Sequence, residues 1–379
     1  MSAPRILIVP DKFKTSLSAP EAAQALGKGF KKIWPAAQIH SLPMADGGEG
    51  TADILTQLLQ GEMLSIPATS AAPNSKVITS KVGWAPTRKL AIIDSSDAAG
   101  LWRIDSAERN PWKSSTFGLG LCIRAALQRG AKEIYLGLGG SATNDLGAGL
   151  AQALGWQFLD AQGAMVYPIP ANFTGIRRIL PPDKLPDCSF TALSDVATPL
   201  LGPKGCTRLF AEQKGLPATD FPEMEKAVSH MADLIEKNLP TPQRDTPGAG
   251  AAGGLGFAIL TFLQGKITPG FDFLADKLQL EENIKNNDLI VTAEGRLDQQ
   301  TLHGKVPSGI LKLARRHHKP VIAFGGTLEN EDLLLDSFSG LVTLPAGPIS
   351  LTKSIDNASE LLENAAARTA RLLSIQLNL

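Results

Sequence analysis

Ile6-Leu7-Ile8-Val9-Pro10-Asp11-Lys12-Phe13-Lys14, with Ser18-Ala19-Pro20-Glu21 close behind it, is the stretch from which the fold can be read. The apolar run at its head is of the buried-strand type, and an acid and two lysines gather at its carboxyl end. Ser18 with Glu21 three residues on, and Pro20 in the first turn, is a capping box that opens a helix to about Lys32. A second strand is expected over 38–42. It leads into the glycine-rich turn Ala45-Asp46-Gly47-Gly48-Glu49-Gly50 and a helix to about Leu59. Strands alternating with helices imply parallel pairing, so this segment predicts half of an open α/β sheet with polar residues at its strand ends.

Working outward, the far end of the chain repeats the rhythm, with strands expected over 288–292, 320–324 and 340–344 and helices over 305–317 and 355–373. The middle differs: a β-rich stretch over 76–94, a helix over 115–128, a strand over 133–138 and a Pro- and Gly-punctuated region over 160–215. This middle reads as a second domain, although pattern alone does not separate an insertion from a sequel.

A chain of 379 residues exceeds the size at which one core keeps growing, so two domains and a cleft are the expectation. Hydrophobic residues make up 43% and charged residues 20%, the balance of a globular protein. Lys plus Arg equals Asp plus Glu at 37 each, which gives no bulk field for a polyanion and argues against nucleic-acid and membrane-surface partners. A small-molecule substrate fits better. Cys122, Cys188 and Cys206 form no C-x-x-C pair, and the five histidines form no metal-ligand pattern. A reducing, cytoplasmic setting is expected, since no run of the sequence suits a signal-peptide core or a membrane span.

The residues that could carry chemistry cluster at predicted strand ends. Gly137-Leu138-Gly139-Gly140-Ser141-Ala142-Thr143-Asn144-Asp145 follows a strand and precedes a helix, a turn that can aim backbone N–H groups at a phosphate; a tight structural turn capped by Asn144 or Asp145 is the plainer alternative. Gly248-Ala249-Gly250-Ala251-Ala252-Gly253-Gly254-Leu255-Gly256 contains G-x-G-x-x-G, but no strand feeds it, so a dinucleotide fingerprint is disfavoured in comparison with a nucleotide-facing loop or close helix packing. Asp46, Asp195 and Glu294-Gly295-Arg296-Leu297-Asp298 also stand at strand ends, the last followed by Thr301, His303 and Lys305. There is no G-x-x-x-x-G-K-[ST], no H-R-D or D-F-G, and no G-x-S-x-G, which excludes P-loop enzymes, protein kinases and the nucleophile-elbow hydrolases.

Taken together, the blocks at 44–51, 137–145, 194–203, 248–256 and 294–298 resemble the type-1 glycerate kinases, in an order that spans nearly the whole chain. The resemblance implies a Rossmann-like parallel-sheet domain formed by both chain ends, 1–68 and 280–379, and an inserted α/β domain, 69–279. It also implies ATP, a divalent metal such as Mg2+, D-glycerate as substrate and 2-phosphoglycerate as the usual product. Ala293 stands where the family pattern expects glycine, and Ala197-Thr198 replaces a more polar pair; neither change removes a charge.

Phosphoryl transfer needs cations on the phosphates, a metal, and a carboxylate to take the hydroxyl proton. The expected catalytic set is Asp195 as base or metal ligand, Asp46 as the second acid, Arg296 as a fork for the glycerate carboxylate, and Lys12 on the transferring phosphoryl. Gly139, Gly140, Ser141, Asn144, Gly248, Gly250, Gly253, Gly254 and Lys305 are the expected nucleotide contacts, and Asp195, Glu294 and Asp298 the expected metal ligands. A nicotinamide-dependent 2-hydroxyacid dehydrogenase and a non-catalytic small-molecule-binding protein are the rivals. A homo-oligomer is compatible with everything above.

Overall fold

The computed structural model describes residues 3–237, 241–302 and 306–375, in two compact units: Met1–Asp46 with Phe271–Leu379, and Gly47–Gly270. Both are α/β. Strands β1 (Arg5–Pro10) and β2 (Gln38–Ser41) come first. Then follow β3 (Glu62–Thr69), β4 (Val77–Ala85), β5 (Leu90–Asp94), β6 (Glu133–Gly137), β7 (Gln157–Leu159), β8 (Arg178–Leu180), β9 (Ser189–Leu193) and β10 (Lys266–Thr268). The chain returns through β11 (Leu289–Leu297), β12 (Val321–Leu328) and β13 (Gly340–Thr343).

In the first unit the strand order is β13-β12-β11-β1-β2, parallel throughout. Ile6, Leu7, Ile8 and Val9 are fully buried, as a strand sandwiched between helices requires. The capping box forms: the Glu21 amide donates to Ser18 Oγ, and the Glu21 carboxylate accepts from the Ser18 amide at 2.8 Å, opening the helix Ala19–Ile33. That helix crosses the helix Ala358–Leu373 at Gly29, where a Cβ would stand 2.2 Å from the Glu363 carbonyl oxygen.

The second unit carries a six-stranded sheet, β10-β9-β6-β5-β4-β3, and a separate β7–β8 hairpin. β5, β6, β9 and β10 are parallel; β3 and β4 are added antiparallel. Because β3 pairs with β4 along its whole length, from Glu62↔Trp84 to Thr69↔Val77, the first junction lies at Asp46–Gly47 rather than at 68/69. The second lies at Gly270–Phe271 rather than at 279/280, since the Phe271 ring packs so closely on Gly309 that a Cβ there would be 2.2 Å from it. The bent helix Ala251–Thr261 serves two cores: Leu255 and Ile259 join the sheet core with Ile93, Leu136 and Ile134, while Phe257 joins Phe158, Phe173 and Met231.

Gly29→Ala should gain helix propensity of about 0.5–1 kcal/mol and still lose on balance, by about 1–3 kcal/mol, because the methyl meets backbone. A lower denaturant midpoint at unchanged slope is the expected result.

Candidate active site

In the first unit the carboxyl ends of β1, β2 and β11 leave the sheet side by side. Pairing continues past the strands: Leu42 N donates to Ile8 O at 2.9 Å, Met44 N to Pro10 O at 3.0 Å, and Asp11 N to Ala293 O at 2.8 Å. These bonds, with buried Met44 and Ala45, deliver Asp46 to the same edge as Asp11. Asp11 Oδ1 accepts from the Lys12 amide at 2.7 Å. Its carboxyl is pushed up to about 7, first by burial, then by the negative charge of Asp46 and more weakly of Glu294, against the pull of Lys12. Asp11 did not stand among the expected catalytic residues; an acid directly after a buried strand was the available signal.

The Glu294 block is not the loop that a strand ending at Thr292 implied. β11 runs on to Leu297 because β12 extends with it, pairing Glu294 with Gly325, Arg296 with Thr327 and Leu297 with Leu328. Within the extended strand Glu294 and Leu297 are buried, whereas Arg296 stands out, its side chain 59% exposed. Glu294 Oε1 accepts from Thr301 Oγ1 at 2.6 Å, and the same hydroxyl accepts from the Asp298 amide at 2.9 Å. Arg296 pairs with Asp298 at 3.2 Å and with Glu329 at 2.5 Å, so the guanidinium expected to clamp a substrate carboxylate is held by two carboxylates of the chain itself. Lys305 and His303 lie outside the described residues.

In the second unit, Asp94, Gly137 and Leu193 end neighbouring parallel strands in register. Asp94 accepts from the Gly50 amide at 2.7 Å and the Ala52 amide at 3.0 Å, capping the helix Thr51–Leu58. No side chain fits at Gly137, where a Cβ would be 2.7 Å from Asp94 Oδ1 and 2.8 Å from the Gly47 carbonyl. Above it the turn opens. Gly140 has φ +64° and is exposed, and the nearest atom to a Cβ there would be Ser96 Cβ at 3.5 Å. The segment 99–101 holds this turn, Leu101 N donating to Gly140 O and Ala142 N to Ala99 O. Gly139, Gly140 and Ser141 thus form a rigid backbone turn with room beside it.

Beyond Ser141 the chain turns inward. Asn144 is fully buried, donating to Thr207 Oγ1 at 3.1 Å and accepting from Cys206 Sγ, so its side chain serves the scaffold rather than an open face. Asp145 is also fully buried and accepts from Thr116 N and Oγ1 and from Gly147 N and Gly149 N. The 248–256 glycines show the packing alternative. Residues 241–249 form no strand, Ala252, Gly253 and Gly254 take left-handed conformations that bend the helix, and a Cβ on Gly253 would be 1.9 Å from Thr143 O. Gly250 is as tight, 2.2 Å from Pro199 O, and Gly248 lies against Ile267. Asp195 is half-buried just beyond β9, where Ser194 N donates to Thr268 O.

Among the described residues no group of three or more His, Cys, Asp or Glu is arranged to hold a metal ion, and no helix is long and apolar enough to cross a membrane. Burial pushes the thiols of Cys122, Cys188 and Cys206 up to about 11, which removes thiolate chemistry.

Residues 6–374 match the glycerate kinase family. The chain belongs to that family. It is 38% identical over 380 residues to a glycerate kinase of Bacillus subtilis (99% of this chain, 98% of the relative), and 40% identical over 331 residues to a glycerate 2-kinase of Escherichia coli (86% of each). A crystal structure assigned as glycerate kinase 2 from Salmonella typhimurium LT2 superposes with a TM-score of 0.81 at 36% identity, covering 98% of both chains. The protein is therefore a kinase, and the dehydrogenase and non-catalytic readings fall away.

Asp11 carries a measurable cost. Its stabilising, protonated form is fully present below the unfolded value of 3.8 and is lost as pH rises through about 7. Without added divalent cation, Asp11→Asn should therefore raise the thermal midpoint at pH 8 by roughly a few degrees. The gain should shrink steadily as pH falls towards 4.

Proposed function

We propose that this enzyme transfers the γ-phosphoryl group of ATP to the 2-hydroxyl of D-glycerate, giving 2-phosphoglycerate and ADP. The reading is carried by the 40% identity to a protein described as a glycerate 2-kinase. It draws support from the open Gly139-Gly140-Ser141 turn, where backbone amides and space coincide, as a phosphate requires. Gly253 and Gly254 pack on Thr143 and Leu146, just beyond that turn, while Gly248 and Gly250 pack on Ile267 and Pro199 and Asn144 bonds to Thr207.

In the transfer, the glycerate hydroxyl gives its proton to a carboxylate, its oxygen bonds to the γ-phosphorus, and the bond to the β–γ bridging oxygen breaks as ADP leaves. Asp195 is assigned as the base, with Asp46 as the second acid and Lys12 as the cation for the transferring group. Arg296 meets the glycerate carboxylate by exchanging one of its present partners. Magnesium is held by one or two carboxylates together with phosphate oxygens and waters, so it needs no three-acid cage. Glu294 and Asp298, already oriented by Thr301 and Arg296, fit that donor set, with Asp195 the other candidate ligand. The ion would neutralise phosphate charge. The three cysteines are free, which suits a cytoplasmic enzyme.

Incubation with ATP, magnesium and D-glycerate should release ADP, and the product should be consumed by enolase alone. A product that needs phosphoglycerate mutase first would move the transfer to the 3-hydroxyl; no ADP release with any short hydroxy acid would overturn the function. Asp195→Asn should lower kcat by about 100-fold or more, with nucleotide affinity within roughly threefold of wild type. An active variant would remove Asp195 from the base role.

A further inference from the structure

The second unit buries a lysine that no local sequence pattern announces. Lys214 ends the short 3-10 turn Glu212–Lys214 and is 2% exposed, the one buried lysine among the described residues. The left-handed Gly215 (φ +92°) that follows packs on the Arg109 carbonyl, which fixes where the Lys214 side chain starts. Its Nζ donates to Thr143 O at 2.7 Å and to Ser141 Oγ at 3.3 Å, reaching the glycine turn from the protein side. Gly253 makes room for it: a Cβ there would be 2.8 Å from Nζ.

We infer that Lys214 is the positioning cation of the Gly139–Ser141 turn, anchored behind it on Ser141 Oγ and the Thr143 carbonyl and supplying the positive charge that a phosphate group on its open side needs. The inference rests on the reading that this turn holds a nucleotide phosphate. A purely structural side chain here would be cheaper without charge, since an ammonium taken out of water is costly unless it is paired. Among the described residues no carboxylate forms an ion pair with Lys214. The titratable groups facing it are Asp145, whose oxygens accept bonds from Thr116, Gly147 and Gly149, and Cys206, kept as a neutral thiol by burial. Burial pulls Lys214 down to about 8, with Cys206 and Asp145 opposing. It is charged at neutral pH and held there at a cost that an incoming phosphate would relieve. By linkage, the phosphate then binds the charged form more tightly.

The test is the affinity for ADP, without divalent cation, from pH 7 to 9.5, by calorimetry. ADP itself changes little in this range, because phosphate completes its second ionisation near about 6. Wild-type affinity should fall by about 3- to 10-fold as Lys214 loses its proton. Lys214→Arg stays charged throughout, so its affinity, whatever its level, should be flat. Lys214→Met should bind ADP at least about tenfold more weakly at pH 7 and without the pH dependence. Should Lys214→Met fail to fold, the wild-type and Lys214→Arg curves decide alone. A flat wild-type curve, or a Lys214→Arg curve that falls as wild type does, overturns the inference. So does a folded Lys214→Met variant that binds like wild type. Gly140→Val, which fills the open side, separates the underlying reading: if it leaves ADP binding intact, no phosphate sits on this turn and both fall. If it weakens ADP while the Lys214 results come out against expectation, only the role of Lys214 falls.

Discussion

The Asp145 carboxylate, removed wholly from water, is the constraint on which the second unit's site depends. One oxygen takes the Thr116 amide, the Thr116 hydroxyl and the Gly149 amide, and the other takes the Gly147 amide. The Thr116 hydroxyl passes the connection on by accepting from the Leu150 amide. Two helix starts, Phe117–Gln128 and Ala148–Ala153, are thereby tied to one side chain, and the chain between Gly139 and Asp145 has no freedom left to choose its path. Burial alone raises the pKa of this acid, and the four donors act in the opposite direction. Losing any one donor would leave a charge in the core poorly paired, which is why the turn, the two helices and the carboxylate behave as a unit.

The first unit reaches a comparable rigidity by a different route. Its polar edge is an extension of the sheet: the bonds Leu42 to Ile8, Met44 to Pro10 and Asp11 to Ala293 carry strand pairing beyond the apolar cores of β1 and β2. Acids placed there sit on backbone as fixed as the core, and Asp11 bears the electrostatic consequence. Backbone fixed in this way limits the reorganisation that a charged ligand at such an edge would require.

What the sequence made legible follows the range of the forces involved. The Ile6–Val9 strand and the Ser18–Glu21 capping box are local, and both stand as expected. The family signature was legible in the same way, as blocks in order. The run of β11 through Glu294 was not, because it depends on β12 continuing to Leu328, and Gly325-Gly326-Thr327 carries no strand signal of its own. The glycines at 248–256 suit a phosphate loop and tight packing alike, because both ask for the same residue; the close approach of Thr143 and Pro199 adds the packing that the sequence did not show. Asp94 was passed over because its partners, the amides of Gly50 and Ala52, lie more than forty residues away.

Lys214 is the extreme case. Its neighbours Glu212 and Gln213 are exposed, so pattern reads the segment as a solvated turn, and its burial is decided by Ser141 and Thr143, more than seventy positions earlier. Buried ionisable groups are where stability and function part company, since hydrophobic replacements usually fold at least as well. Each unit keeps such groups: half-buried Asp11 in the first, fully buried Asp145 and Lys214 in the second. Asp145 is explained by the fold alone, because its four bonds build the turn. Asp11 and Lys214, shifted towards the neutral form as Asp145 is, make fewer bonds in return and would be cheaper to replace. Asp11 is a carboxyl pushed up by burial and by Asp46, and Lys214 a cation set behind an open glycine turn. The two positions ask for opposite partners, since a cation would favour the charged form of Asp11 and an anion the charged form of Lys214.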